Sequence, residues 1–426
     1  MDRPRRSYLR QAAVNAGAGS AAGPARRHRP DYWLLILTAF LLTLGIVVVY
    51  SISPALASSQ HITQNYFITK QLIAIGLGLV AFTLASYISL PAWRRFATPL
   101  VGLAVLGSLI VMVMPLNELY QAHRWIRFGS YSIQVAELIK LALVVWLARF
   151  LTDQWQTGKL TDWRQTFRPL LTVLLIGGVV VAKFQSDLGS AAVMVAIMGL
   201  MVYSVGIPMK RIAMVGAIVL GLVVLAISTS GYRRDRFTTF LHPQADCQTT
   251  GYQACQALIS VGSGGVMGLG LGYSVQAYGY LPEPSNDSIF AIMAEKFGFI
   301  GSVALLSLYG VFIFRLKKIA ERTADQFSRL IVIGVLAWLS TQMLINIGAM
   351  IGLLPLKGIT LPLISQGGTS LLFMTAALGL VFHISRYTSY NATEPKNNNV
   401  GGADNSADGR RVGRSYNPNL VSRPRT

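Results

Sequence analysis

The sequence predicts an all-α polytopic membrane protein with about ten transmembrane helices. Three observations predict it. Of the 426 residues, 53% are hydrophobic and only 13% are charged. Apolar runs recur from Tyr32 to Tyr387, each near the ~20 residues that cross ~30 Å of hydrocarbon. The 37 Lys and Arg are also unevenly shared: more than two-thirds fall in segments on the same side as the N-terminus.

The runs lie near 32–52, 70–89, 97–115, 133–151, 168–185, 188–206, 209–230, 288–314, 329–353 and 369–387. Each must satisfy its own backbone groups inside lipid, so each is read as a helix. Cationic loops stay in the cytoplasm, which places both termini there. The net charge of +20 then faces anionic lipid, and no nucleic-acid partner is expected. Tails 1–31 and 388–426, rich in Gly, Ala, Asn, Ser and Arg, read as disordered and flank a transmembrane domain at 32–387. An A-x-A pattern in "PALAS" (54–58) follows the first run, but that run and the polar stretch before it are long for a cleaved signal. It reads as a retained span.

A large extracytoplasmic loop, about 231–286, separates helices 7 and 8. It holds both cysteines, Cys247 and Cys255. On the oxidising side these form either a disulfide or two free thiols. With only His242 nearby, a cysteine-based zinc site is not expected. The run "VGSGGVMGLGLG" (261–272) lacks the strand–turn–helix context of a nucleotide site. Its glycines suit close backbone approach to a ligand or a neighbouring segment.

Charges within spans are costly and mark partners or cavities. Glu137 and Lys140 in "QVAELIKL" stand three apart on one helix face and can pair. Asp187 in "FQSDLGS" closes a span beside Lys183. The stretch "GYLPEPSNDSIFAIMAEKFG" (279–298) gathers Glu283, Asp287 and Glu295, with Lys296 adjacent. Asp287 stands where the loop enters a helix, so it suits an N-cap as well as a chemical role.

Several separated blocks carry a resemblance over about 32–387: "HRWIRFG", "QVAELIKL", "QSDLGSA", "GYQACQALISVGSGGVMGLGLG", "YLPEPSNDSIFAIMAEKFGFIG" and "NIGAMIGLLPLKGITLPLISQGGTSLL". In order and spacing the chain resembles the SEDS family (shape, elongation, division and sporulation), peptidoglycan polymerases that include FtsW and RodA. Lys357 in "LLPLKGITLPLIS" is more similar to the division branch, FtsW, than to the elongation branch, RodA. The resemblance implies polymerisation of lipid II into β-1,4 glycan at the outer membrane face, with release of undecaprenyl pyrophosphate. It also implies a class B penicillin-binding protein transpeptidase and other divisome membrane proteins as partners, at the septum.

The family's essential aspartate matches Asp287. An α-linked diphosphate donor that gives a β product is inverted in one displacement, which needs a carboxylate base opposite the leaving group. Asp287 is expected to be that base. Arg124, Lys140 and Lys357 are expected to stabilise the departing diphosphate, with Glu137 orienting Lys140 and Glu283 positioning the loop or a metal. No cofactor is required, although a divalent metal is compatible. The family often has Pro where Val135 and Ser186 stand, a basic residue at Ser132, Tyr at Gln366 and Glu at Lys296. Two other readings share the resemblance: a lipid II flippase gated by Asp287, and a RodA-type elongation polymerase.

Overall fold

The computed structural model describes residues 29–114, 124–128, 131–229, 231–241, 247–249 and 251–387, so the tail readings for 1–28 and 388–426 fall outside it. In chain order it forms α1 (Tyr32–Ser59), α2 (Tyr66–Tyr87), α3 (Leu90–Val113), β1 (Trp125–Phe128), β2 (Tyr131–Gln134), α4 (Val135–Gln156) and α5 (Trp163–Phe184). There follow α6 (Leu188–Ser204), α7 (Met209–Ser228), α8 (Gly231–Leu241), α9 (Tyr252–Ser263), α10 (Ile289–Arg322), α11 (Gln326–Met350) and α12 (Gly368–Ser385). Among the described residues, 7 helices are long and apolar enough to cross a membrane: α1, α2, α3, α5, α10, α11 and α12. Helices α4, α6 and α7 occupy the other three expected positions. This is a multi-pass membrane fold.

One expectation is corrected. The all-α reading missed an antiparallel hairpin, β1–β2, in the register Trp125↔Gln134, Ile126↔Ile133, Arg127↔Ser132 and Phe128↔Tyr131. Aromatic and β-branched residues suit a half-buried ribbon, and the Ile126–Ile133 pair packs across it. The loop 231–286 also carries two helices, α8 and α9.

Charge and polar contacts join the start of α1, the end of α12 and the later part of α10 at one end of the bundle. Both Asp31 carboxylate oxygens accept from Arg315 Nη2 at 2.8 Å. The Asp31 N–H donates to Ser385 Oγ (3.0 Å), and His383 Nδ1 lies 2.7 Å from the Ser86 carbonyl. Helix α11 runs through the middle, packed against α4, α6, α10 and α12. Its Trp338 is fully buried. A Cβ at Gly334 would stand 2.8 Å from Val144 Cγ1, so a small residue is what lets α4 and α11 approach.

Helix α10 has 34 residues, about 51 Å at 1.5 Å per residue, and it is broken at Gly298 (φ 66, ψ −162). The glycine-rich run stitches the break. Leu269 and Gly270 N–H groups donate to the Glu295 and Lys296 carbonyls at 2.9 and 3.0 Å. Phe299 and Ile300 N–H groups donate back to the Gly265 and Val266 carbonyls at 2.9 and 3.2 Å. Helical ends in an apolar setting must find such partners. Glycine is what permits the approach, because a Cβ at Gly264 would fall 2.0 Å from the Ala294 oxygen.

Glu295, fully buried, completes the stitch by accepting from Ser274 Oγ (2.6 Å), Val275 N–H (2.8 Å) and Gln276 N–H (3.2 Å). Lys296 Nζ donates to the Leu271 carbonyl. These two charges therefore hold a loop, and Glu295 is spent on structure.

Gly298→Ala would force a side chain into positive φ and drive its Cβ to 2.3 Å from the Gly268 nitrogen. We expect a loss of at least ~1–3 kcal/mol, read as a lower thermal midpoint of the detergent-solubilised protein. Gly310→Ala, with no atom within 4 Å, should leave that midpoint unchanged or slightly raised.

Candidate active site

Asp287 lies at the opposite end of the bundle from Asp31, one residue before Ser288, the N-cap of α10. The carboxylate is therefore not the helix's N-cap. It sits 8% exposed at the end of a tight turn, 283–288. Glu283 begins that turn at φ 49, and its carbonyl accepts from the Asn286 and Ser288 N–H groups at 3.0 and 3.3 Å. Glu283 thus positions the loop through its backbone.

Three consecutive carbonyls hold the turn in place. The Ser285 carbonyl accepts from Gln366 N–H (2.8 Å), that of Asn286 from Ser365 Oγ (2.6 Å), and that of Asp287 from Asn346 Nδ2 (2.7 Å). Two of these donors belong to the irregular strap, 351–367, that joins α11 to α12. Gly358 (φ 62) bends the strap over the carboxylate, where a Cβ would meet Asp287 Oδ2 at 3.6 Å. On the strap's far side, Gly189 of α6 makes room for Lys357 and Ile359, since a Cβ there would fall 3.1 Å from Lys357 Cβ and 2.6 Å from Ile359 Cδ1. Half-buried Lys357 is thereby wedged between the Asp287 turn and the start of α6.

The start of α6 is itself built from charged and polar contacts. Asp187 caps it, accepting from Ser190 N–H (2.9 Å), Ser190 Oγ (2.8 Å) and Gln134 Nε2 (3.1 Å). Arg124 binds the same corner, donating from Nε to the Gln185 carbonyl (2.7 Å) and from Nη2 to the Ser186 carbonyl. Its guanidinium docks the β1–β2 ribbon onto α6. Thr369 Oγ1 ties the ribbon to α12 through the Gln134 N–H and the Ser132 carbonyl, both at 3.2 Å.

Deeper in the bundle, the pairing expected of Glu137 and Lys140 forms at 2.7 Å with both side chains buried. Lys140 Nζ also donates to Gln342 Oε1 (3.0 Å), which accepts from Trp338 Nε1 as well (2.8 Å). Gln342 Nε2 passes the network on to the Thr360 carbonyl and hydroxyl, both at 3.1 Å, and to Ser370 Oγ at 3.2 Å. Lys140 is consequently a structural cation beneath the strap as well as a candidate charge for a ligand.

The sequence reading missed Gln342 and Asn346. The signal was present: two amides four apart in the apolar run of α11, on one helix face. Beside the turn, Gln253 Nε2 donates to Ser288 Oγ (3.2 Å), and the same side chain lines a cleft of about 200 Å³ with Phe240, Leu258, Gly352 and Leu356. Cys247 and Cys255 form a disulfide at the entry to α9, which resolves the open alternative. Among the described residues no three His, Cys, Asp or Glu side chains converge as a metal cage. A divalent ion here would have to take most of its ligands from water and a bound diphosphate.

A multi-pass helical protein with a buried carboxylate under a cation-bearing strap is the class these features define. Residues 32–390 match the model of the cell cycle protein family FtsW/RodA/SpoVE, and the chain belongs to that family. It is 34% identical to stage V sporulation protein E of Bacillus subtilis, over 86% of this chain and 99% of that one. It is 39% identical to the probable peptidoglycan glycosyltransferase FtsW of a Thioalkalivibrio species, over 84% and 90%. Among solved structures it resembles a chain from a peptidoglycan synthase complex that coordinates polymerization and crosslinking (TM-score 0.69, 28% identity, covering 84% and 98%). It also resembles the rod shape determining protein RodA of Thermus thermophilus, solved in a mutant form (TM-score 0.61, 26% identity, covering 84% and 97%).

Removing one partner of a buried ion pair strands the other, at a cost of about 3–5 kcal/mol. Lys140→Met alone should therefore lower the unfolding midpoint markedly, and Lys140→Met with Glu137→Leu should recover most of the loss. Equal losses in the two variants would contradict the pairing.

Proposed function

We propose that this chain polymerises lipid II into β-1,4 glycan at the outer face of the cytoplasmic membrane, with Asp287 as the general base. Membership of the family makes it a glycosyltransferase of cell-wall synthesis. The finer assignments are ours: ten spans with both termini in the cytoplasm, and the hairpin, strap and 231–286 loop outside. The grouping of Asp31, Arg315, Ser385 and His383 at one end, opposite Asp287, supports this topology.

One observation carries the mechanism. Asp287 is a buried carboxylate one residue ahead of its helix's N-cap position, its turn held by three consecutive carbonyl contacts beneath the strap that bears Lys357. A base that must meet one hydroxyl needs such fixing, because productive proton transfer requires hydrogen-bond reach. The acceptor sugar's 4-hydroxyl loses its proton to Asp287 as its oxygen attacks the donor's anomeric carbon. The bond from that carbon to the diphosphate oxygen breaks, and the configuration inverts. Lys357 and, more remotely, the Lys140 cluster would oppose the charge growing on the diphosphate. A metal, if bound, supplies the same charge.

Lys357 and the relatives named FtsW favour division-site synthesis. The synthase complex that contains a chain resembling this one supports a crosslinking partner of the class B penicillin-binding type, and other division proteins are proposed from the family resemblance alone.

Polymerisation of lipid II by the purified protein, with and without that partner, tests the proposal. Asp287→Asn should cut the rate by about 10²–10⁴-fold while the thermal midpoint stays near the parent's. Undiminished glycan synthesis would remove Asp287 as the base, and lipid II translocation without polymerisation would indicate a flippase.

A further inference from the structure

The strap has no regular hydrogen-bond ladder, yet it sets where Lys357 stands relative to Asp287. Two side chains of α11 fix it. Gln342 grips Thr360 at both its carbonyl and its hydroxyl (3.1 Å each). One turn later, Asn346 Nδ2 donates to the Ile359 carbonyl (2.6 Å) and to the Asp287 carbonyl (2.7 Å). Both amides are buried, at 0% and 2% exposure.

The orientation of Asn346 is dictated by its neighbours. Two carbonyl oxygens can only accept, so only the NH₂ end can face them. Its Oδ1 is buried without a hydrogen-bond partner. The residue therefore keeps an unsatisfied acceptor in order to present its donors, an arrangement that packing alone does not favour. An apolar residue of like size would fill the space but strand two carbonyls. Asn346 is also the one donor of the three that hold the 285–287 carbonyls which at the same time holds the strap two residues from Lys357.

We infer that Asn346 is a positioning residue for the reaction: by clamping the backbones of Asp287 and Ile359 with a single amide, it fixes the base and the Lys357 cation at the separation that the transfer requires. Gln342 anchors the adjacent residue and joins this clamp to the Glu137–Lys140 pair. The inference rests on Asp287 being the base. Asn346 touches backbone only, so it acts through the two groups it aligns.

The test is steady-state polymerisation of lipid II by the full chain carrying Asn346→Ala, Asn346→Asp or Asn346→Ser, beside Asp287→Asn. Displacing reactive groups by about an ångström costs ~10²-fold, so Asn346→Ala and Asn346→Asp should lose about that factor in kcat while KM for lipid II moves less than ~3-fold. Asn346→Ser, which retains a shorter donor in a smaller side chain, should fall between them and the parent, and it serves where Ala fails to fold. Parent-like kcat in these variants overturns the inference, as does a loss expressed only in KM or only in a lowered thermal midpoint. Should Asp287→Asn itself polymerise normally, the base assignment fails first. Should Asp287→Asn be inactive while the Asn346 variants work, the positioning role alone fails.

Discussion

Backbone that leaves helical form inside the bundle must find hydrogen-bond partners within the protein, and that constraint shapes the site. A membrane helix satisfies itself. The chain departs from helix at two places that matter, the break at Gly298 and the strap 351–367. The first is answered by another backbone, the glycine-rich run, whose missing side chains allow contact at carbonyl distance. The second is answered by side chains: Gln342 and Asn346 donate to the Thr360 and Ile359 carbonyls, and Ser365 Oγ accepts from the Leu361 N–H. Two of them, Asn346 and Ser365, also donate to carbonyls of the Asp287 turn. Structure and function are thus served by one set of contacts.

This arrangement explains the crowding of acids near the start of α10. Glu283 makes its contribution through a left-handed backbone. Glu295 is consumed in holding the loop that repairs the broken helix. Asp287 alone of the three is placed beneath the strap with its backbone carbonyl clamped, one residue ahead of the N-cap position. Three neighbouring carboxylates therefore have three different roles. Their environments assign those roles, and their spacing does not.

Much of the fold was legible because hydrophobic length is a strong signal. Seven of the apolar runs coincide with helices long and apolar enough to cross a membrane, and the Glu137–Lys140 pair followed from i,i+3 spacing. The hairpin was hidden because four-residue strands carry too little alternation to outweigh an otherwise helical chain. Helix α6, at 17 residues, and the extension of α10 to 34 were blurred because hydropathy marks the bilayer's reach, whereas helix ends depend on caps and loop contacts. At the site, motif resemblance pointed to Asp287, Lys357, Arg124 and Glu283. It could not reveal that Arg124 is engaged with two backbone carbonyls, because that depends on the Gln185–Ser186 corner reaching the ribbon. Gln342 and Asn346 were visible as polar residues in an apolar helix, but their partners lie in the strap, whose path no periodicity encodes.

The proposed reaction requires lipid-borne sugars to meet at the carboxylate of Asp287 under the strap. A structure of the protein in a bilayer mimetic with a non-reactive lipid-linked disaccharide diphosphate bound would test it most directly. The acceptor's 4-hydroxyl should lie within about 3 Å of an Asp287 oxygen, with the donor diphosphate on the Lys357 side. A headgroup seated elsewhere in the bundle, with Asp287 facing only protein, would contradict it.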